Sequence, residues 1–324
     1  MNKARAARKL ATAALSGVGG VGVLGGALFV LLGAEAMLAR RAIGGPVGDA
    51  PQANGIYGYG EGEEISFVVL GDSTACGFGV QDPDETPGAM LAGGLASLSG
   101  RPVRLTGLGV VGAETQHLDV QVDQALEQRP DLALIIVGAN DVTHRIKPSE
   151  SVRLLAEAIQ RLRAAGCEVV VGTCPDLGTI EPVAQPLRQI ARYWSRSLAR
   201  AQTAGAVAAG ARTVSLGSLL GPAFAAAPRE LFGPDRFHPS ATGYASACVA
   251  LLPSLAAALG YWSDDEDGDG YGDAHPDGQV LPISFAAAQA AKDEGTEVTP
   301  RGRWAILRQR EPEPELPLDQ AKTR

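Results

Sequence analysis

Residues 65–77, ISFVVLGDSTACG, decide the fold: an apolar, β-branched run from Ile65 to Leu70 stops at Gly71 and turns polar at once. A strand with one wetted face alternates apolar and polar residues, whereas a continuous apolar run marks a strand covered on both faces. The same signature recurs at Val103–Gly107, Leu132–Val137, Glu168–Gly172 and Thr213–Leu216. Between these runs apolar residues recur at helical spacing, over about 87–98, 114–128, 149–165 and 181–209, with a last helix at about 240–259. Strands alternating with helices predict the α/β class: a three-layer α/β/α sandwich around a central parallel sheet of about five strands. In such sheets ligands bind beyond the carboxyl ends of the strands. Chemistry is therefore expected in the residues just after each run.

Those residues are of the right types. Gly71, Asp72 and Ser73 follow the first run, and Gly109-Val-Val-Gly112-Ala113-Glu114 follows the second. Gly138-Ala139-Asn140-Asp141 follows the third, and Asp235-Arg-Phe-His238-Pro239 stands near the end of the body. Converging on one rim, they form a set for acyl transfer: a hydroxyl, an imidazole with a carboxylate to orient it, and amide donors for an oxyanion. A serine hydroxyl is a poor nucleophile until an imidazole takes its proton, and the imidazole must be held in one tautomer. Asp235 precedes His238 by one turn of chain, so both side chains can lie on one side. Pro239 restricts His238 to extended conformations, which sets where the ring emerges. Glycine at 71 and 112 permits backbone geometry that presents N–H groups to a developing negative charge.

The four segments, in this order and at these strand ends, resemble the SGNH (GDSL-like) hydrolases of the esterase/lipase type. Gly71–Thr74 is similar to the family's first block, Gly109–Gly112 to its second, Gly138–Asp141 to its third and Asp235–Pro239 to its last. The likeness covers roughly residues 64–260; it departs where Thr-Ala-Cys-Gly follows Ser73, since many members carry Leu or Ile there. The resemblance implies a flavodoxin-like SGNH hydrolase fold. It also implies a serine esterase that hydrolyses acyl esters of lipids or acylated sugars through an acyl-enzyme, with no metal and no organic cofactor. Ser73 is then the nucleophile, His238 the general base and Asp235 its orienter. The oxyanion hole is made by the Ser73 and Gly112 backbone amides and the Asn140 side chain. Transfer of the acyl group to a sugar or lipid hydroxyl would use the same intermediate and is the alternative reading.

A rival from another class is Gly107-Leu-Gly109-Val-Val-Gly112, a dinucleotide-binding fingerprint with Glu127 or Asp131 near the expected distance. It makes no use of Ser73, Asn140 or His238, and it follows the second strand. No G-x-S-x-G occurs, which disfavours an α/β-hydrolase nucleophile elbow. Asp72 and Asp141 read as turn acceptors, His144 as a surface-loop residue with pocket lining as the alternative, and His117 as a helix residue. Cys76 reads as packing beside the site. Four cysteines without a C-x-x-C pair exclude a disulfide scaffold and a Cys-type zinc site.

The chain has 324 residues, 45% of them hydrophobic and 20% charged, which is enough for a sizeable core. A net charge of −8 and an aromatic content of 5% exclude the basic footprint and stacking platforms of nucleic-acid binders. Lys3, Arg5, Arg8 and Lys9 precede an uncharged run from Leu10 to Ala34, followed by Glu35, Arg40 and Arg41. The run exceeds the ~20 residues a membrane-spanning helix needs, and the basic bias favours a cytoplasmic N-terminus with the body outside. A membrane anchor over residues 1–42 is expected, followed by a linker at 43–63, a catalytic domain at 64–260 and an acidic tail at 261–324. A signal cleaved at Ala34-Glu35-Ala36, giving a secreted protein, and a buried soluble helix are the alternatives. In the tail Asp265, Asp267, Asp269 and Asp273 are spaced like a calcium loop, but Pro276 takes the place of the bidentate Glu, so a flexible spacer is expected. Arg301–Arg310 is basic with an apolar centre, and reads equally as a membrane contact or a solvated tail.

Overall fold

The computed structural model describes residues 20–44 and 48–261. The basic N-terminus, the calcium-like spacing of the tail and the Arg301–Arg310 segment lie outside the described residues. Six strands form one sheet: β1 (Gly55–Tyr57), β2 (Ile65–Gly71), β3 (Val103–Gly107), β4 (Leu132–Ile136), β5 (Glu168–Gly172) and β6 (Arg212–Val214). Their spatial order is β1-β3-β2-β4-β5-β6, parallel from β3 to β6. Helices α1 (Gly20–Ile43), α2 (Pro87–Ser99), α3 (Leu118–Glu127), α4 (Ala139–His144) and α5 (Pro148–Ala164) precede the last third of the chain. That third adds α6 (Leu187–Ala208), α7 (Leu216–Ala226), α8 (Pro228–Leu231) and α9 (Ala241–Ala258).

The continuous apolar runs fill two cores because successive side chains point to opposite faces. Phe67, Val69, Leu134, Ile136 and Val170 meet Leu91 and Leu95 of α2 and Leu251 and Leu255 of α9. Val68, Leu70, Ala133, Ile135 and Val171 meet Leu118 and Val122 of α3 and Leu155, Ile159 and Leu162 of α5. Each Val, Leu, Ile or Phe among them contributes about 1.5–3 kcal/mol by leaving water. The three layers are those expected from the sequence.

Two features differ from expectation. The sheet is mixed, since β1 runs antiparallel to β3, pairing Gly55 with Leu105 and Tyr57 with Val103. It lies in the stretch read as a linker. Three largely exposed residues, the first of them Gly55, leave no apolar run to read; long-range pairing with β3 makes the strand, and Asn54 Oδ1 adds to it by accepting the Gly107 N–H at 2.8 Å. β1 thereby covers an edge that would otherwise present unpaired backbone groups. Leu216 opens α7 rather than closing a strand. That helix is apolar nearly throughout and contains Pro222, so no amphipathic period marks it.

Among the described residues only α9 meets the length and hydropathy of a membrane span. Its Tyr244, Leu251 and Leu255 are fully buried, and it packs beside α2 on one face of the sheet, so it is a core helix of the sandwich. α1 lies against the body: Glu35 and Ala39, one turn apart, are buried, and Ile43 packs on the core. Glu35 Oε2 accepts the Leu187 N–H at 3.0 Å, an orphan donor at the start of α6 that a carboxylate suits. Val30, Met37 and Leu38 of α1 are exposed.

Strand register positions the site. Gly71 pairs with Ile136, Ile136 with Gly172, and Gly172 with Val214. Four strand ends are thus level, and the polar segments that follow them share one rim.

Candidate active site

Ser73 sits in a tight turn off β2. Gly71 has φ 134°, and a Cβ there would lie 1.8 Å from the Ile136 carbonyl oxygen, so only glycine lets β2 and β4 close up at this point. A buried glutamine on α3 holds the same residue: Gln121 Oε1 accepts the Gly71 N–H at 2.7 Å and Nε2 donates to the Gly71 carbonyl at 3.0 Å. Asp72 Oδ1 accepts the Thr74 N–H at 2.9 Å, and Phe78 N–H donates to the Ser73 carbonyl at 3.0 Å, closing the turn. Burial pushes the Asp72 carboxyl up to about 6, although the Thr74 hydrogen bonds and His238 pull the other way.

Asp235 and His238 arrive on a loop between α8 and α9, closed by Gly233 N–H to the His238 carbonyl at 2.8 Å. Asp235 Oδ1 accepts the Phe237 and His238 N–H groups at 2.9 and 3.0 Å, leaving Oδ2 for His238 Nδ1 at 2.6 Å. His238 Nε2 lies 3.1 Å from Ser73 Oγ. Burial works against a charge on Asp235, but the hydrogen bonds from the His238 ring and the two amides outweigh it and hold the carboxyl below its ordinary range. Phe78 and Phe237 set their rings edge-on to His238, with centroids 4.7 and 4.8 Å away. Tyr244 Oη, fully buried, donates to the Phe78 carbonyl at 2.7 Å and so anchors the first of these walls. The imidazole is only 12% exposed.

Asn140 lies in the first turn of α4, where its Nδ2 donates one hydrogen to the Ala113 carbonyl at 2.9 Å. An amide nitrogen carries two hydrogens, so the bond orients the group and leaves a second donor. Gly112 has φ 82°, in the left-handed region, with open space where a Cβ would stand. Among the described residues neither the Ser73 nor the Gly112 N–H donates to an internal acceptor. The structure therefore brings Ser73, His238 and Asp235 into one hydrogen-bonded relay, and places Asn140 and Gly112 on adjoining segments joined at Ala113.

The other residues singled out in the sequence fall as follows. Asp141 is buried and accepts the Thr115 N–H at 3.1 Å and the Ser151 hydroxyl at 2.6 Å. His144 is half-exposed and its Nδ1 meets Glu114 Oε1 at 2.5 Å. His117 is a helix residue, the last of the 3-10 turn Thr115–His117 that leads into α3, and its Nδ1 accepts the Glu114 N–H at 2.9 Å. Cys76 has its thiol pushed up to about 12 by burial and by the Asp72 charge, so it is no thiolate nucleophile. All four cysteines are free.

The dinucleotide fingerprint does not meet its structural context. α3 begins at Leu118, not at Gly112, and a Cβ on Gly109 would lie 3.0 Å from Cys76 Sγ, so that glycine serves contact with the Ser73 turn. Sequence reading missed Gln121 and also Gln202, which is buried and clamps β4 to the segment after β5. Gln202 Nε2 donates to the Val137 carbonyl at 2.9 Å and Oε1 accepts the Cys174 N–H at 2.8 Å. Both glutamines had a legible signal: each sits on the apolar stripe of its helix, Gln121 beside Leu118 and Val122, Gln202 between Leu198 and Ala206.

A hydroxyl–imidazole–carboxylate relay at the carboxyl ends of a parallel sheet defines a class of hydrolytic enzymes. The chain belongs to the GDSL-like lipase/acylhydrolase family, whose pattern matches residues 69–246. It is 42% identical over 241 residues to the GDSL-like esterase Rv1075c of Mycobacterium tuberculosis, which covers 71% of this chain and 77% of the relative. Among solved structures it is similar to TesA, at a TM-score of 0.49 and 21% identity over 60% of this chain and 99% of that one. It is also similar to a variant of Axe2, an acetyl xylan esterase from Geobacillus stearothermophilus, at a TM-score of 0.47 and 18% identity over 63% and 97% of the two chains. The protein is a carboxylic ester hydrolase.

Proposed function

We propose that the protein hydrolyses acyl esters of lipids or acylated sugars by a two-step serine mechanism, and that residues 64–260 are its catalytic domain. Ser73 Oγ attacks the ester carbonyl while His238 Nε2 takes its proton. Asp235, bonded to Nδ1, keeps Nε2 free to accept and stabilises the imidazolium that forms. The carbonyl oxygen, now anionic, is received by the Ser73 and Gly112 N–H groups and the free hydrogen of Asn140 Nδ2. Collapse expels the alcohol, which takes its proton from His238. Water then repeats the sequence on the acyl-Ser73 ester and releases the carboxylic acid, so His238 ends as it began. The observation that carries this reading is the unbroken relay from Asp235 Oδ2 through His238 to Ser73 Oγ, at 2.6 and 3.1 Å. Labelling with a serine-directed phosphonate, followed by peptide mapping, tests it: modification is expected at Ser73, and labelling elsewhere refutes the assignment. A panel of short- to long-chain esters and acetylated sugars then assigns the substrate.

The leader is proposed to anchor the enzyme with its body outside the cytoplasm. The uncharged run Leu10–Ala34, its basic flank and the continuity of α1 from Gly20 to Ile43 support this. The protein should then fractionate with membranes and resist high salt, since the attachment is hydrophobic. A mature N-terminus at Met37 or later would mean a cleaved leader and a secreted enzyme.

A further inference from the structure

The two segments that bear Gly112 and Asn140 are sewn together by three consecutive links. Asn140 Nδ2 donates to the Ala113 carbonyl at 2.9 Å, Thr115 N–H donates to Asp141 Oδ2 at 3.1 Å, and His144 Nδ1 meets Glu114 Oε1 at 2.5 Å. Residues 113, 114 and 115 thus face residues 140, 144 and 141, all on the short helix α4. The first two links use residues of the recognised motif; the third does not. Glu114 is itself held firmly: Gln116 Nε2 donates to its Oε2 at 2.7 Å, and its backbone N–H donates to His117 Nδ1 at 2.9 Å. It is 14% exposed, whereas His144 is 50% exposed, so their bond closes the solvent-facing edge of the seam.

We propose that Glu114 and His144 are positioning residues, whose hydrogen bond holds the Gly112 N–H and the Asn140 amide at the spacing a developing oxyanion requires. The proposal rests on the acyl-transfer reading above. One donor lies on each side of the seam, two residues from Glu114 and four from His144. Loosening the seam lets the donors drift apart, and donor geometry matters at the level of a fraction of an ångström. The ground-state ester makes little use of the hole, so the effect belongs to the transition state.

The test uses the full chain, with rates expressed per active site titrated by the phosphonate. His144→Ala is expected to lower kcat about tenfold with KM nearly unchanged. It should weaken binding of a trifluoromethyl ketone transition-state analogue by the same factor. His144→Gln, which keeps a donor for Glu114, is expected to restore most of the rate. In the Asn140→Ala background, where one donor is already gone, the further loss from His144→Ala should be smaller than in the wild type. The acid limb of the pH–rate profile should stay where it is, because the proton is carried by His238. Unchanged kcat in His144→Ala, a loss confined to KM, a shifted acid limb or full additivity with Asn140→Ala would each overturn the proposal. If Ser73→Ala retained turnover, the acyl-transfer reading itself would fail; a dead Ser73→Ala beside a fully active His144→Ala would sink the clasp alone.

Discussion

Two carboxylate–imidazole pairs stand on the same rim, Asp235 with His238 and Glu114 with His144, at 2.6 and 2.5 Å. By residue type and separation they are alike. Their surroundings differ. His238 is 12% exposed, walled by Phe78 and Phe237, and its second nitrogen meets Ser73 Oγ. His144 is 50% exposed, and among the described residues its hydrogen-bond partner is Glu114. An acid–imidazole pair becomes a base for catalysis when the fold dries it and hands it a hydroxyl. Without both it is a strut.

Breaking the first pair should cost most. Ser73→Ala is expected to abolish hydrolysis with the fold intact. Asp235→Asn is expected to lower kcat about 10⁴-fold, because the wrong tautomer faces Ser73; a loss below tenfold, measured per folded protein, would make Asp235 dispensable. Asn140→Ala should come next, at about 10²–10³-fold for one oxyanion donor. Circular dichroism must show the variant folded, since the bond to Ala113 is lost as well.

Acidity sharpens the comparison further. The Asp235 carboxyl is held below its ordinary range, so its contribution to stability is present above the unfolded-state value and is lost as pH falls through the lower, folded one. Asp72, raised to about 6, behaves oppositely: its contribution is full below the unfolded-state value and is lost as pH rises through about 6. Melting curves between pH 4 and 8, at about one-unit steps, should therefore show Tm falling more steeply through about 6 in the wild type than in Asp72→Asn. Equal slopes would mean that Asp72 does not titrate there.

The smallest effect is expected at a carboxylate that meets no imidazole. Glu35→Ala removes the acceptor at the start of α6 and should cost about 1 kcal/mol, read as a Tm lowered by a few degrees with kcat unchanged. A chain beginning at Gly33 should accordingly be more stable than one beginning at Ile43; equal stability would show that α1 contributes nothing to the body.

Much of this protein was determined by sequence alone. The runs at 65–71, 132–136 and 168–172 were legible because a strand buried on both faces has no choice but to be apolar throughout. The residues after them could be singled out because turn chemistry and strand ends are local. What remained was decided by contacts distant in the chain. β1 is a strand only because β3 offers it an edge, and α1 leans on the body through an amide at Leu187 and the packing of Ala39 and Ile43. Gln121 and Gln202 stood in view as polar residues on apolar stripes, but the backbone groups they clamp lie 50 and 65 residues away. The same limit applies to the two imidazoles. Spacing within a segment suggests that Asp235 can orient His238, yet which histidine meets Ser73, 165 residues distant, depends on strand register and on the loop that carries His238 past Phe78. Local propensity is additive along the chain and can be read from it; a three-body arrangement at hydrogen-bond precision exists only once the layers have packed.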